Sequence, residues 1–344
     1  MRPIDSCLAV LLLCLLGLTP LQAQVLNGTI AEDPITAHWK AHASVFNPAW
    51  AGASREAALF IGGQNLVGVL DSLSGGSSLL GFRSPIGQDG KLTICGALQY
   101  SFVPFVARFV TADVGFAYRV LEESGHRVWV GGTIGLGSRE IVSFDVPGQP
   151  ATIAQRNRFY PNLNAGIWYR YQGFHFGAGG MHLGSPMVRY SSSITGRIQD
   201  RYYLLAAFDY EMDGARFTPA IWTRFANTNA ILTDLMLDSE LGGGFGLGLG
   251  YRTDMGRRPA PNPSNPFAQE RFRQAMASAE LRLLDVLTVR GTYLYTFGTF
   301  VLDRNNVELT LVYRYRDGKP SAASPVSPQS FSPRRITPQG PANF

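Results

Sequence analysis

His38 and His42 stand four residues apart, a spacing that puts both imidazoles on one face of a helix, and two such rings can hold zinc. A metalloprotease motif would place Glu directly after the first histidine, but that residue is Trp39. The simpler account is a pair of histidines at a packing interface. His126, His175 and His182 are scattered and are expected in turns or a lumen. No serine sits in the Gly-x-Ser-x-Gly turn that exposes a nucleophile; Gly184-Ser185-Pro186 reads as loop and Gly76-Ser77 as part of a hairpin. The chain therefore reads as a non-enzyme, with no catalytic, metal or cofactor-binding residue and no cofactor.

The other candidates are charges recurring at every second position. Arg170, Arg201, Arg216, Arg224, Arg282, Arg290, Arg314 and Arg316, with Asp209, Glu280 and Glu308, fall on the polar face of alternating segments. Such a face can line the lumen of a barrel. Ion pairs between neighbouring strands, stiffening the wall, are the plain use of these side chains. A surface that docks cargo or guides solutes is the sharper one.

These charges need strands to position them, and period-two patterning is clear. In 163–171, Leu163, Ala165, Ile167, Tyr169 and Tyr171 oppose Asn164, Gly166, Trp168 and Arg170. In 201–210, Tyr202, Leu204, Ala206, Phe208 and Tyr210 oppose Arg201, Tyr203, Leu205, Ala207 and Asp209. In 306–316, Val307, Leu309, Leu311, Tyr313 and Tyr315 oppose Asn306, Glu308, Thr310, Val312 and Arg314. Tyrosines closing the apolar face suit a bilayer interface, where an amphipathic ring is half wet. The pattern predicts strands at 57–67, 76–83, 91–103, 106–120, 126–138, 162–171, 173–182, 201–212, 215–225, 230–240, 243–253, 271–283, 286–297 and 305–316. That is about fourteen, an even number, as a closed single-chain barrel requires. Tight turns are expected at Glu123-Ser124-Gly125, Gln172-Gly173 and Asp213-Gly214, and long connections at 139–161, 183–200 and 254–270. The fold class expected is all-β: an antiparallel transmembrane barrel occupying 56–316.

The flanking segments agree with export. Arg2, the apolar run Leu8 to Leu18 and the small-residue site Leu21-Gln22-Ala23 make 1–23 a cleavable signal. About 321 residues would remain, enough for one large barrel. No later run of apolar residues is long enough for a transmembrane helix. Only Cys95 follows the signal, so no internal disulfide is expected. The formal charge of +5 is carried mostly by arginine. No basic run interleaved with aromatics appears, so no nucleic-acid partner is expected.

Residues 24–55 lack the strand period and read as a plug-like segment, with a short helix within Thr36 to Ser44. Residues 317–344, which hold Pro320, Pro325, Pro328, Pro333, Pro338 and Pro341, read as a Pro/Ser-rich tail that sustains no ladder. In Gly242 to Gly250, glycines alternate with apolar residues. One face of that strand is bare, which permits close approach by a plug or a sharp bend.

Asn47-Pro48-Ala49-Trp50-Ala51-Gly52, placed just before the first strand, resembles the N-terminal signature of the PorP/SprF family. Pro161-Asn162-Leu163-Asn164-Ala165-Gly166-Ile167-Trp168-Tyr169, continuing through Phe176-Gly177 to His182-Leu183 and Pro186, resembles a second block of that family. The resemblance implies a barrel of the bacterial outer membrane that works with the type IX secretion and gliding machinery. Its implied partners are outer-membrane lipid, a secreted cargo protein or adhesin, and periplasmic ring components. The rival reading is an outer-membrane channel for small or hydrophobic solutes.

Overall fold

The computed structural model describes residues 37–54, 56–64, 76–87, 89–103, 107–141, 156–184, 186–189, 195–226, 231–255, 273–283, 286–297 and 306–315. The signal, residues 24–36 and the 317–344 tail lie outside the described residues.

Two short helices come first, α1 (Trp39–Phe46) and α2 (Ala49–Ala53). The strands follow as β1 (Ala57–Gln64), β2 (Gly76–Ile86), β3 (Leu92–Val103), β4 (Ala107–Glu123), β5 (His126–Ile141), β6 (Arg156–Tyr171) and β7 (Phe174–Met181). After β8 (Met187–Arg189) and β9 (Thr195–Arg197) come β10 (Arg201–Phe208), β11 (Tyr210–Met212) and β12 (Ala215–Ala226). The last are β13 (Ile231–Glu240), β14 (Phe245–Asp254), β15 (Arg273–Leu283), β16 (Leu287–Phe297) and β17 (Asn306–Tyr315).

All but β8 and β9 join one antiparallel sheet in which β1 pairs with β17 and β10 pairs with both β7 and β12. The sheet thereby closes on itself. β10 and β11 form a single stave interrupted at Asp209, so the ring is a fourteen-strand barrel. Closure matters because a lipid-exposed sheet edge would leave backbone donors and acceptors unpaired. No described helix is long and apolar enough to cross a membrane.

The period-two sequence becomes two faces. On β10, Arg201, Tyr203, Leu205 and Ala207 are buried, whereas Tyr202 and Leu204 are exposed. On β17, Glu308, Thr310 and Val312 are buried, whereas Val307, Leu309, Tyr313 and Tyr315 are exposed. The outer face is thus apolar and aromatic, and the charged positions turn inward. Ser124-Gly125 and Asp213-Gly214 close two-residue turns with positive φ at both positions, the geometry that matches strand twist. The short turns gather at one end of the barrel, together with the start of β1 and the end of β17.

Three expectations need correction. The 139–161 stretch is largely wall, since β5 runs to Ile141 and β6 begins at Arg156. Pro161 reads like loop punctuation, but it sits where β6 has outrun β7, whose pairing reaches only Ala165. There its missing N–H leaves no gap in the ladder. The 183–200 connection contains the small hairpin β8–β9. The bare face of the glycine-rich β14 is filled by its neighbours rather than by a helix. A Cβ on Gly248 would meet Asp238 and Arg290, and one on Gly250 would meet Met276 and Met236.

Candidate functional site

The two helices are buried almost all round. Trp39, His42, Phe46, Ala49 and Ala51 are at most 2 % exposed. The inward faces of the barrel enclose them. α2 contacts β3, β4, β5 and β6, while α1 reaches towards β2, β3 and β7. Phe46 packs edge-on against Trp222 at 4.9 Å and lies 5.2 Å from Tyr203 between ring centroids. Trp50 meets Trp168 edge-on at 4.4 Å, and its indole N–H donates to the Lys40 carbonyl.

The wall has room because glycines face the helices. A side chain on Gly131 would come within 2.6 Å of the Ala49 nitrogen, and one on Gly166 would collide with the Asn47 amide. Asn47 uses that opening to reach backbone. Its Nδ2 donates to the Ile167 and Ala178 carbonyls at 2.9 and 3.1 Å, and its Oδ1 accepts from the Ala49 N–H at 3.1 Å. Pro48 starts α2 at a helical φ of −55°. Gly52 lies beside the Trp129 ring, where a Cβ would come within 2.6 Å. Asn47 and Trp50 therefore meet β6, the strand that carries Pro161, Asn164 and Gly166, while Pro48, Ala49 and Gly52 lie against Gly131 and Trp129 of β5.

His182 and Asn164 lie in the same half of the wall. The His182 N–H donates to Asn164 Oδ1, and its Nδ1 lies 2.7 Å from Asn162 Oδ1. Pro161 is exposed, away from the helices.

Charges secure the other side of α1. Glu308 accepts from the backbone N–H groups of Ala37 and His38 at 2.6 and 3.3 Å. His38 lies 3.6 Å from Glu280, and His42 lies 3.8 Å from Glu308. Burial is the main reason both imidazoles are shifted down, His42 to about 4. They are neutral near pH 7, so these contacts are dipolar rather than ionic. Among the described residues no cluster suits a metal. Lys40 donates to Thr218 at 3.0 Å and lies 3.7 Å from Glu240, which Arg216 and Arg282 also approach.

Asp209, at the break between β10 and β11, accepts from Thr218 and lies 3.0 Å from His175. Arg290 bonds Asp238 at 2.6 Å and lies 3.7 Å from Glu280. Arg314 bonds Glu56, Arg201 is buried, and Arg170 is half-buried. Arg316 lies outside the described residues. Arg224 bonds Asp234 at 2.7 Å, and Arg252 bonds both oxygens of the same carboxylate and also Gln274. Asp234, Asp238 and Arg252 escaped the sequence reading. The available signal was the alternation of Leu232, Asp234, Met236 and Asp238 along one face of β13.

The barrel is similar to solved outer-membrane structures. A FadL homologue from Pseudomonas aeruginosa aligns with a TM-score of 0.50 at 9% identity, over 84% of this chain and 96% of that one. The TodX monoaromatic hydrocarbon channel (deltaS2 mutant) aligns at 0.48 and 9%, over 79% and 93%. Omp33 from Acinetobacter baumannii aligns at 0.41 and 8%, over 76% and 98%. At such identity the first of these shows the fold alone. No curated protein matches the sequence. The family described as "Type IX secretion system membrane protein PorP/SprF" matches residues 29–315. With that match spanning the helices and every strand, the chain belongs to the PorP/SprF family of type IX secretion system membrane proteins, as a β-barrel of the bacterial outer membrane.

Proposed function

We propose that residues 37–54 are a plug seated in the barrel, and that the closed barrel acts without catalysis in secretion or surface attachment of cargo proteins such as adhesins. Periplasmic ring components would meet it at the end bearing the short turns. The observation that carries this reading is the enclosure of α1 and α2. Their large side chains are buried against Trp129, Trp168, Tyr203 and Trp222, which a water-filled channel would leave wet. The inward ion pairs fit the same role, because they tie strand to strand, Asp234 to Arg224 and Arg252 between neighbours and Asp238 to Arg290 across two intervening strands, and stiffen a wall that passes no solute. The family supports the link to secretion, and the cargo is this reading's own extension.

Deleting 24–45 tests it. The deletion protein should keep the heat-modifiable gel migration of a folded barrel and lose cargo from the cell surface. Normal cargo display would remove the segment from the mechanism. A stable open channel formed by the intact protein in planar bilayers would favour solute transport instead.

A further inference from the structure

Arg83 on β2 stands apart from other buried guanidinium groups of the wall. Arg119, Arg224, Arg252 and Arg290 each lie against a carboxylate. Arg83 is 5 % exposed and forms no ion pair among the described residues. Its Nε lacks a hydrogen-bond partner there, and its Nη1 reaches only the Ala41 carbonyl of α1, at 3.5 Å, the outer limit of a hydrogen bond. The Phe60 ring centroid is 6.0 Å away, a contact weaker than a counter-charge. Glu56, whose charge acts on Arg83, is exposed and bonded to Arg314 at 3.0 Å.

The interface is short of bonds at two further places. Thr93 on the inner face of β3 and Ser44 on α1 are 0 % and 5 % exposed, and neither hydroxyl has a partner among the described residues. The other sides of the helical segment differ. Glu308 on β17 accepts from the Ala37 and His38 N–H groups, Asn47 donates to carbonyls of β6 and β7, and Lys40 donates to Thr218 on β12. A lumen without the helices would hydrate Arg83. Seating them strips that water and supplies one weak acceptor. A buried charge left without its partner is strongly unfavourable, and an apolar group of similar volume in its place is neutral or stabilising.

We infer that Arg83 is a release element: its uncompensated charge opposes seating of residues 37–54 and holds the segment poised to leave the barrel. The inference rests on the proposed plug. It reverses the usual sign of an interface residue, because removing the guanidinium tightens the contact.

Protease cleavage within 37–54 of the folded barrel tests this, with heat-modifiable migration verifying each fold. Arg83→Met, apolar and of similar length, should slow cleavage about fivefold or more. Arg83→Gln removes the charge with less change in polarity, serves where methionine impairs folding, and should slow cleavage about twofold or more. Arg83→Lys keeps the charge and should stay within about twofold of the unaltered protein. Faster or unchanged cleavage in the neutral variants overturns the inference, since the guanidinium would then seat the segment or have no bearing on it. Equal slowing in Arg83→Lys also overturns it, by tracing the effect to shape rather than charge. Cleavage of the unaltered protein as fast as that of the urea-denatured chain would mean that no plug is seated. The proposed function then fails on its own account, before Arg83 is varied, and the inference fails with it.

Discussion

The Asn47 side chain occupies the place where a side chain on Gly166 would stand. Its amide reaches through that opening to the Ile167 and Ala178 carbonyls. Residues 120 and 131 positions away are thereby tied to the first helical segment. Asn47→Ala removes these bonds and should weaken docking of the segment by about 1–3 kcal/mol. Gly166→Val should weaken it similarly by collision. The double variant should cost less than the sum, because a single contact is lost twice. Protease release of residues 37–54 from the folded barrel reads the effect. Additive losses would show that the two residues act separately.

Asp234 is the shared partner of two buried guanidinium groups, Arg224 and Arg252. Asp234→Ala would leave both without that counter-charge, at a cost of about 3–5 kcal/mol. Urea unfolding in lipid vesicles, followed by heat-modifiable migration, should show a lowered midpoint. An unchanged midpoint would mean the inward charges do not stiffen the wall.

Docking of α1 should weaken in acid. Burial draws His42 down from 6.5 to about 4 and outweighs Glu308, which pulls the other way, while Arg290 and Arg83 add to the fall. His38 is lowered too, by burial first and then by Arg290, His42, Lys40 and Arg314. The docked rings are thus neutral where free ones take up a proton. Docking is at full strength above about pH 6.5 and declines as pH falls towards 4. The slope is at most about 1.4 kcal/mol per pH unit for each ring. Protease release should accelerate between pH 7 and 5, and His42→Gln should flatten the curve. Release that slows on acidification would contradict the assignment.

Much of the barrel is legible in the chain because its faces differ so sharply. Leu309 must meet lipid and Glu308 must not, so alternation writes the register of β17 directly. The 139–161 stretch was harder. There β6 continues with only β5 as partner, and Pro161 is tolerated for a reason that depends on where β7 stops. The β8–β9 hairpin is three residues a strand, too short for a period to show. The Asn47 block and the Gly166 block were both visible as motifs. Their meeting was not, since a contact between a helix and a strand leaves no periodic trace in either. Asp234 went unremarked because a lone acid on a strand looks like solvent-facing polarity until its two arginines are brought to it.

The most direct measurement uses Cys95. Cys95 on β3 is buried in one small apolar cluster with Ala51 of α2 and Ala117 of β4. In Ala51→Cys, oxidation of native outer membranes should join residues 51 and 95 in one disulfide, seen as loss of both thiols to maleimide labelling after denaturation and their return on reduction. That result places the helical segment inside the barrel in its own membrane. Two thiols still labelled after oxidation, with the introduced thiol reactive in the folded protein, would mean that the segment lies elsewhere and the lumen is not plugged.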